Sequence, residues 1–423
     1  MSHIGKSILA LLTWTISRVL MAVLWSRRET FIDNDVRYYY WQLVHHGMGD
    51  GLVEYPTPVA VLLQLIRPAS GNTELGFRIA FVLAMGLLDG AVAVWLWTGH
   101  SRVAATYWSV FTFLIGALIW FRIDLLPAVA VLAGLVWLNR RPIASGVAIA
   151  LGAATKFWPA MLIIPMLGTG STARKRTIGF LVAGGTLGLA SLLFFGWDRS
   201  TSPLTWQSDR GLQIESIVAT VPMLRHAFGQ PDLYRTELSS HNAWEIYGPQ
   251  VDFWLRVADV AMLGSVVLAL LLGWLIALNG FGLPGRRSFG TADDGGQLPR
   301  THAIVLAQLA IICAFIIANK TFSPQYVIWL GGPLTVLIAL PLPGKDRTAA
   351  RWLAGTGLAI ALLTHLVFPL NYSGLIAADS TLGDTLLLVG RNLLMVVFTV
   401  VTTVAAIRAA MAIGRPQPAV SAT

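Results

Sequence analysis

The sequence predicts an all-α polytopic membrane protein, and three observations carry the prediction. Of 423 residues, 55% are hydrophobic and only 12% are charged, whereas a soluble domain carries about 25% charged residues. Apolar stretches continue from the N-terminal region to the end of the chain, so this much apolar surface needs lipid as its solvent. The lone cysteine, Cys313, sits inside one such stretch, which leaves no intramolecular disulfide and no cysteine-based metal site. The formal balance, 30 − 21 = +9, would suggest nucleic acid in a soluble protein. Here the distribution of charge decides instead, and no nucleic-acid partner is expected. Residues 1–423 read as one transmembrane domain.

The first span is expected at about 7–25, because a cleavable signal peptide would need a soluble mature chain behind it. Further apolar segments lie near 76–98, 104–120, 123–138, 143–154, 156–167, 177–196, 251–278, 302–318, 324–341, 351–369 and 384–411. The expectation is a bundle of about 10–12 transmembrane helices, some shorter than the ~20 residues of a straight span. Short re-entrant or juxtamembrane helices complete it on the outer face, and the stretch 56–66 is short enough to lie in the interface. With the N-terminus in the cytosol, the inside pieces include 100–102, 139–141, 173–176, the 279–301 linker, 344–351 and the C-terminus. Lys and Arg dominate these, with Asp293, Asp294 and Asp346 as their acids. That asymmetry follows the positive-inside rule and puts both termini in the cytosol of a multi-pass cell-membrane protein. It also makes the basic excess a contact for anionic membrane lipids. Two hydrophilic outer segments remain, 26–55 and 197–250; the second is too long for a connector and apolar enough to be ordered.

Charged residues near these outer segments are the candidates for chemistry. Asp33 and Asp35 follow the first span, and each is a candidate general base, since a placed carboxylate accepts a hydroxyl proton. They would lie about 200° apart on a helix, so they cannot both face one substrate. The bland alternative is a solvated acidic loop. Tyr38, Tyr39, Tyr40 and Trp41 suggest an interfacial helix with a wall for sugar or lipid, or simply an aromatic belt. Arg122 and Asp124 stand at a helix junction, either facing a cavity or as a buried structural pair. Lys156 reads as a re-entrant tip or a snorkelling lysine. With Arg210 and Lys320, these cations converge on one side and suit a phosphate leaving group. Asp89 and Arg391, inside spans, fit structural contacts or a proton relay. The histidines show no metal-ligand spacing, and no phosphate-binding glycine loop precedes a helix.

Taken in order, these residues resemble glycosyltransferase family 87, membrane glycosyltransferases of the GT-C architecture that use polyprenyl-phosphate sugars. The matching pieces are Asp35-Val36-Arg37-Tyr38-Tyr39, Tyr55-Pro56, Arg122 to Pro127, Thr155 to Pro159, Arg210 to Ser216 and Phe322 to Tyr326. The common Y-P-P form reads Tyr55-Pro56-Thr57 here. The resemblance implies a GT-C-like bundle and the activity of the family's mycobacterial α-1,2-mannosyltransferases of phosphatidylinositol mannosides. Its substrates would be a polyprenyl-phosphate mannose donor and a glycolipid or lipoglycan acceptor, at the extracytoplasmic face. It implies Asp35 as the base, with Arg122, Lys156, Arg210 and Lys320 on the donor phosphate. Asp33, Tyr38, Tyr39, Tyr55, Asp124, Glu215, Gln325 and Tyr326 would line the substrate. No cofactor and no metal ligand is expected, with a divalent metal left open. The competing readings are transfer of another sugar such as arabinofuranose or glucose, a lipid-linked sugar transporter, and a cell-envelope scaffold. A transporter would place its ionisable residues near the midplane and show duplicated halves, and no internal repeat is present in the sequence.

Overall fold

The computed structural model describes residues 3–69, 71–228, 233–280, 297–377 and 380–413. Most of the expected 279–301 linker lies outside the described residues. Over the described residues the architecture is all-α apart from one small hairpin. Among the described residues, six helices are long and apolar enough to cross a membrane: Glu74–Gly99, Ser171–Ser208, Val251–Asn279, Gln297–Ala318, Gly344–Leu370 and Leu382–Ala412. Shorter apolar helices, Arg102–Ile115, Leu125–Val136, Pro142–Thr155 and Pro324–Ala339, fill the bundle between them. The chain is therefore a polytopic membrane protein.

Burial sorts the helices into core and periphery. In Gln297–Ala318, 83% of the most apolar stretch is buried, against 6% in Ser171–Ser208. The first is the axis of the bundle, and the second presents its leucines and valines outward, as a helix facing lipid does. The tightest crossing joins Pro142–Thr155 to Ser171–Ser208. A Cβ at Gly146 would run into the carbonyl of Arg176, and one at Gly179 into that of Ile143. Only glycine permits backbones to approach so closely.

Six elements end at one pole of the bundle and hand the chain to it: His3–Arg28, Arg102–Ile115, Pro142–Thr155, Ser171–Ser208, Gln297–Ala318 and Gly344–His365. Residues that follow each of the six line the cavity described next. The 26–55 segment is not a plain loop there. A 3-10 turn, Thr30–Asp33, leads into a helix, Asn34–Asp50, which breaks at Gly47 where φ is +66°. The 197–250 segment is ordered over its described residues. It holds a helix, Thr220–Ala227, and an antiparallel hairpin, Arg235–Leu238 with Trp244–Tyr247, in register from Arg235↔Tyr247 to Leu238↔Trp244.

Candidate active site

The pole encloses a cavity of about 510 Å³, a size typical of small-molecule sites. Its lining comes from segments more than 300 residues apart, from Asn34 to Ile376.

Asp35 lies in the first turn of Asn34–Asp50, where the helix dipole favours a carboxylate. It lines the cavity, is 26% exposed, and sits 2.9 Å from Arg122 Nε. Arg122 Nη1 donates to the carbonyls of Ile32 at 2.7 Å and Phe121 at 3.0 Å. One guanidinium thus ties down both the entry to the helix and the carboxylate on it. Of the two alternatives for Arg122 and Asp124, the mutual pair does not form, because side chains two residues apart in this turn diverge. Asp124 accepts instead from Lys156 Nζ at 2.7 Å and Trp329 Nε1 at 2.8 Å. At 1% exposure it supports the lining without joining it. Asp33 also stays out of the lining, buried beneath Arg78 with Arg37 at 3.4 Å.

Lys156 follows the last turn of Pro142–Thr155 in extended backbone, a position where a helix C-terminus favours a cation. Its Nζ lies 4.8 Å from the ring centroid of Tyr326, 5.5 Å from Trp329 and 5.9 Å from Tyr55. Tyr326 and Trp158 both stack on Trp329, at 4.1 and 4.6 Å. The ammonium is held by one carboxylate and an aromatic wall. Tyr39 and Tyr55 meet hydroxyl to hydroxyl at 3.1 Å on the same wall, and Gln325 joins the lining from the turn Pro324–Leu330.

The third side of the cavity is the strand-like segment after Ser208. Ile214 N donates to Trp244 O and Ile246 N to Leu212 O, so this segment widens the hairpin. Arg210 lines the cavity, and its Nε has no hydrogen-bond partner among the described residues. Lys320 does not reach the lining. Its Nζ donates to Ser208 O at 2.8 Å, and its carbonyl accepts from Gln213 N at 3.1 Å, so it braces the segment that carries Arg210. Glu215 lines the cavity while only 1% exposed; its Oε2 accepts from Gln213 Nε2, and its Oε1 has no hydrogen-bond partner among the described residues. Burial pushes this carboxyl up to about 8, against the opposing pull of Arg391 and Arg122. At neutral pH it is therefore largely a neutral acid with a proton to donate. Beneath it, Arg391 Nη2 donates to the Glu215 carbonyl at 2.9 Å, and its guanidinium lies 3.9 Å from the Phe322 ring centroid.

Several lining residues were not singled out from the sequence. Glu54 and Tyr38 both line the cavity, and burial raises the Glu54 carboxyl above the ordinary value. Burial first, then Glu54, raises the Tyr38 phenol well above its own. An acid directly before Tyr55-Pro56 was the available signal for Glu54. Trp206, His241 and Trp244 close the cavity from the hairpin side, with Trp206 and His241 edge to face at 4.8 Å; nothing local marks them. Arg199 was equally silent. Its Nη1 donates to Tyr55 O at 3.0 Å and its Nη2 to Gly51 O and Leu52 O at 3.2 Å, while Ser202 Oγ donates to Val53 O at 2.8 Å. That clasp sets the loop that presents Glu54 and Tyr55.

The arrangement offers an accessible carboxylate, cations and a neutral acid in the same lining, and aromatic faces that can pack on a sugar ring. Among known proteins, the family model described as glycosyltransferase family 87 matches residues 53–288, more than half of the chain. No curated protein and no solved structure matches it.

Proposed function

The chain belongs to glycosyltransferase family 87, a membrane glycosyltransferase, and from that premise we propose that it transfers mannose from polyprenyl-phosphate mannose to a glycolipid or lipoglycan acceptor. The observation that carries the reading is Asp35: a partly exposed carboxylate on the cavity wall, held from behind by Arg122. Asp35 takes the proton of an acceptor hydroxyl, whose oxygen attacks the anomeric carbon. The bond from that carbon to the phosphate oxygen breaks, and polyprenyl phosphate leaves with inversion. Arg210 and Lys156, which line the same cavity, meet the charge that grows on the leaving phosphate. These fixed charges serve in place of a metal cofactor. Arg122 acts mainly by orienting Asp35, and Lys320 acts through the Arg210 segment it braces. Tyr38, Tyr39, Tyr55, Glu215, Gln325 and Tyr326 contact the substrates.

The cavity lies on the extracytoplasmic side in this reading. In support, Arg140, Arg141, Arg174, Lys175 and Arg176 gather where Pro142–Thr155 and Ser171–Ser208 begin, while both helices end at the cavity. The test is transfer by purified protein from a panel of polyprenyl-phosphate sugars. Asp35→Asn is expected to lose about 10²–10⁴-fold in turnover with unchanged folding, and Asp33→Asn to retain measurable turnover. Wild-type turnover in Asp35→Asn would remove the base assignment. Transfer of arabinose or glucose in preference to mannose would replace the donor.

A further inference from the structure

A second recess lies at the opposite end of the helix Pro142–Thr155 from Lys156, about 20 Å away at 1.5 Å per residue. It is an open groove of about 590 Å³ between the starts of Pro142–Thr155 and Ser171–Ser208, and the chemistry above makes no use of it. Its wall is apolar: Trp137, then Ile143, Val147 and Leu151, which at i, i+4 and i+8 form one stripe about 12 Å long. Ile143 and Leu151 are 52% and 49% exposed, a large apolar surface left bare by the bundle. Two cations, Arg141 and Lys175, complete the lining at one end of the stripe. Both are exposed, and neither has a carboxylate partner among the described residues. The neighbouring helix continues outward in bare Ile178, Leu181 and Val182, so the groove opens onto acyl chains.

We propose that this groove holds one anionic phospholipid of the adjoining leaflet. Its phosphate sits between Arg141 and Lys175, and one acyl chain lies along Ile143, Val147 and Leu151. The match is one of charge and shape together: paired cations at the level where the helices begin, and an apolar slot running from them along the span. A soluble anion would leave the slot empty, and a neutral lipid would leave both cations unanswered. Basic residues at a membrane surface each favour anionic lipid by about 1 kcal/mol, so two of them discriminate by tenfold or more.

Native mass spectrometry of the full-length protein in detergent tests this, with titration by dioleoyl phosphatidylglycerol, dioleoyl phosphatidylcholine or polyprenyl phosphate. The expected result is one tightly retained phosphatidylglycerol, held on the order of tenfold more strongly than phosphatidylcholine. The double variant Arg141→Gln/Lys175→Gln is expected to bring the two lipids level. Val147→Trp fills the slot and is expected to displace the lipid with both cations still present. Thermal unfolding and gel filtration of each variant establish that it is folded. Equal retention of the two phospholipids by the wild type, or undiminished phosphatidylglycerol in both folded variants, would overturn the proposal. Retention of polyprenyl phosphate in preference to phosphatidylglycerol, lost in the same variants, would overturn the assignment to a leaflet lipid. None of these outcomes depends on the transferase reading, since no measurement uses transfer.

Discussion

Of the aspartate–arginine pairs in the described bundle, two are built to opposite ends. Asp89 is fully buried. Arg18 Nε and Nη2 reach its two oxygens at 2.8 and 3.0 Å, Trp108 Nε1 adds a third bond at 3.1 Å, and Arg18 is itself tied to the Ser109 carbonyl at 2.9 Å. Asp35 has one cationic partner among the described residues, Arg122, and lines the cavity with a quarter of its side chain exposed. The saturated pair has nothing left to offer a ligand and fastens helices together. The unsaturated pair holds a carboxylate in place and leaves it free to react. Both read as charge near or inside a span, and only the count of partners separates structure from chemistry. The same count gives Asp89 the structural contact that the sequence suggested for it.

Breaking the saturated pair should cost most. Asp89→Ala leaves a buried arginine without its carboxylate, an expected loss of roughly 3–5 kcal/mol, visible as a collapse in yield and thermal midpoint. Wild-type stability in that variant would mean Arg18 finds water, and the contrast with Asp35 would fail. Breaking the unsaturated pair should spare the fold and strike turnover. Arg122→Gln releases Asp35 to drift, and a misplacement of about 1 Å costs on the order of 10²-fold in kcat, with KM for the acceptor moving less. A change confined to donor KM would instead return Arg122 to the phosphate.

Glu215 sharpens the comparison through pH. Its carboxyl rises from 4.5 to about 8 on folding, so between those values the folded chain holds a proton that the unfolded chain has lost. Stability from this group is full below about 4.5 and is lost as pH rises through about 8. Glu215→Gln cannot ionise, and its thermal midpoint is expected to fall less between pH 5 and 8.5 than that of the wild type. Parallel profiles would place the ionisation elsewhere. The smallest effect belongs to Lys320→Met, which removes one hydrogen bond to the Ser208 carbonyl. A single such bond is worth about 0.5–1.5 kcal/mol, so at most a roughly tenfold rise in donor KM is expected, and a loss matching that of Arg210→Gln would put Lys320 on the phosphate after all.

Much of the site was legible because charge is scarce in this chain. Asp35, Lys156 and Arg210 stood out as polar positions beside apolar spans, and the geometry places all three on one cavity. The assignment of partners was not legible. Arg122 and Asp124 look like a pair at two residues' distance, yet the turn sends one to Asp35 and the other to Lys156 and Trp329. Lys320 and Arg210 look alike in sequence, and only one lines the cavity. Arg391 reads as a midplane charge and turns out to lie against the carbonyl of a lining residue 176 positions earlier.

Composition alone determined that the chain lives in lipid, because the hydrophobic cost of placing so much apolar surface in water is additive and needs no geometry. Periodicity and length then set where helices run, since backbone groups in lipid must bond within their own segment. Which charges are quenched and which stay open was decided by tertiary structure. A carboxylate's reactivity depends on the number of donors that converge on it from distant segments, and that number exists only once the bundle is packed.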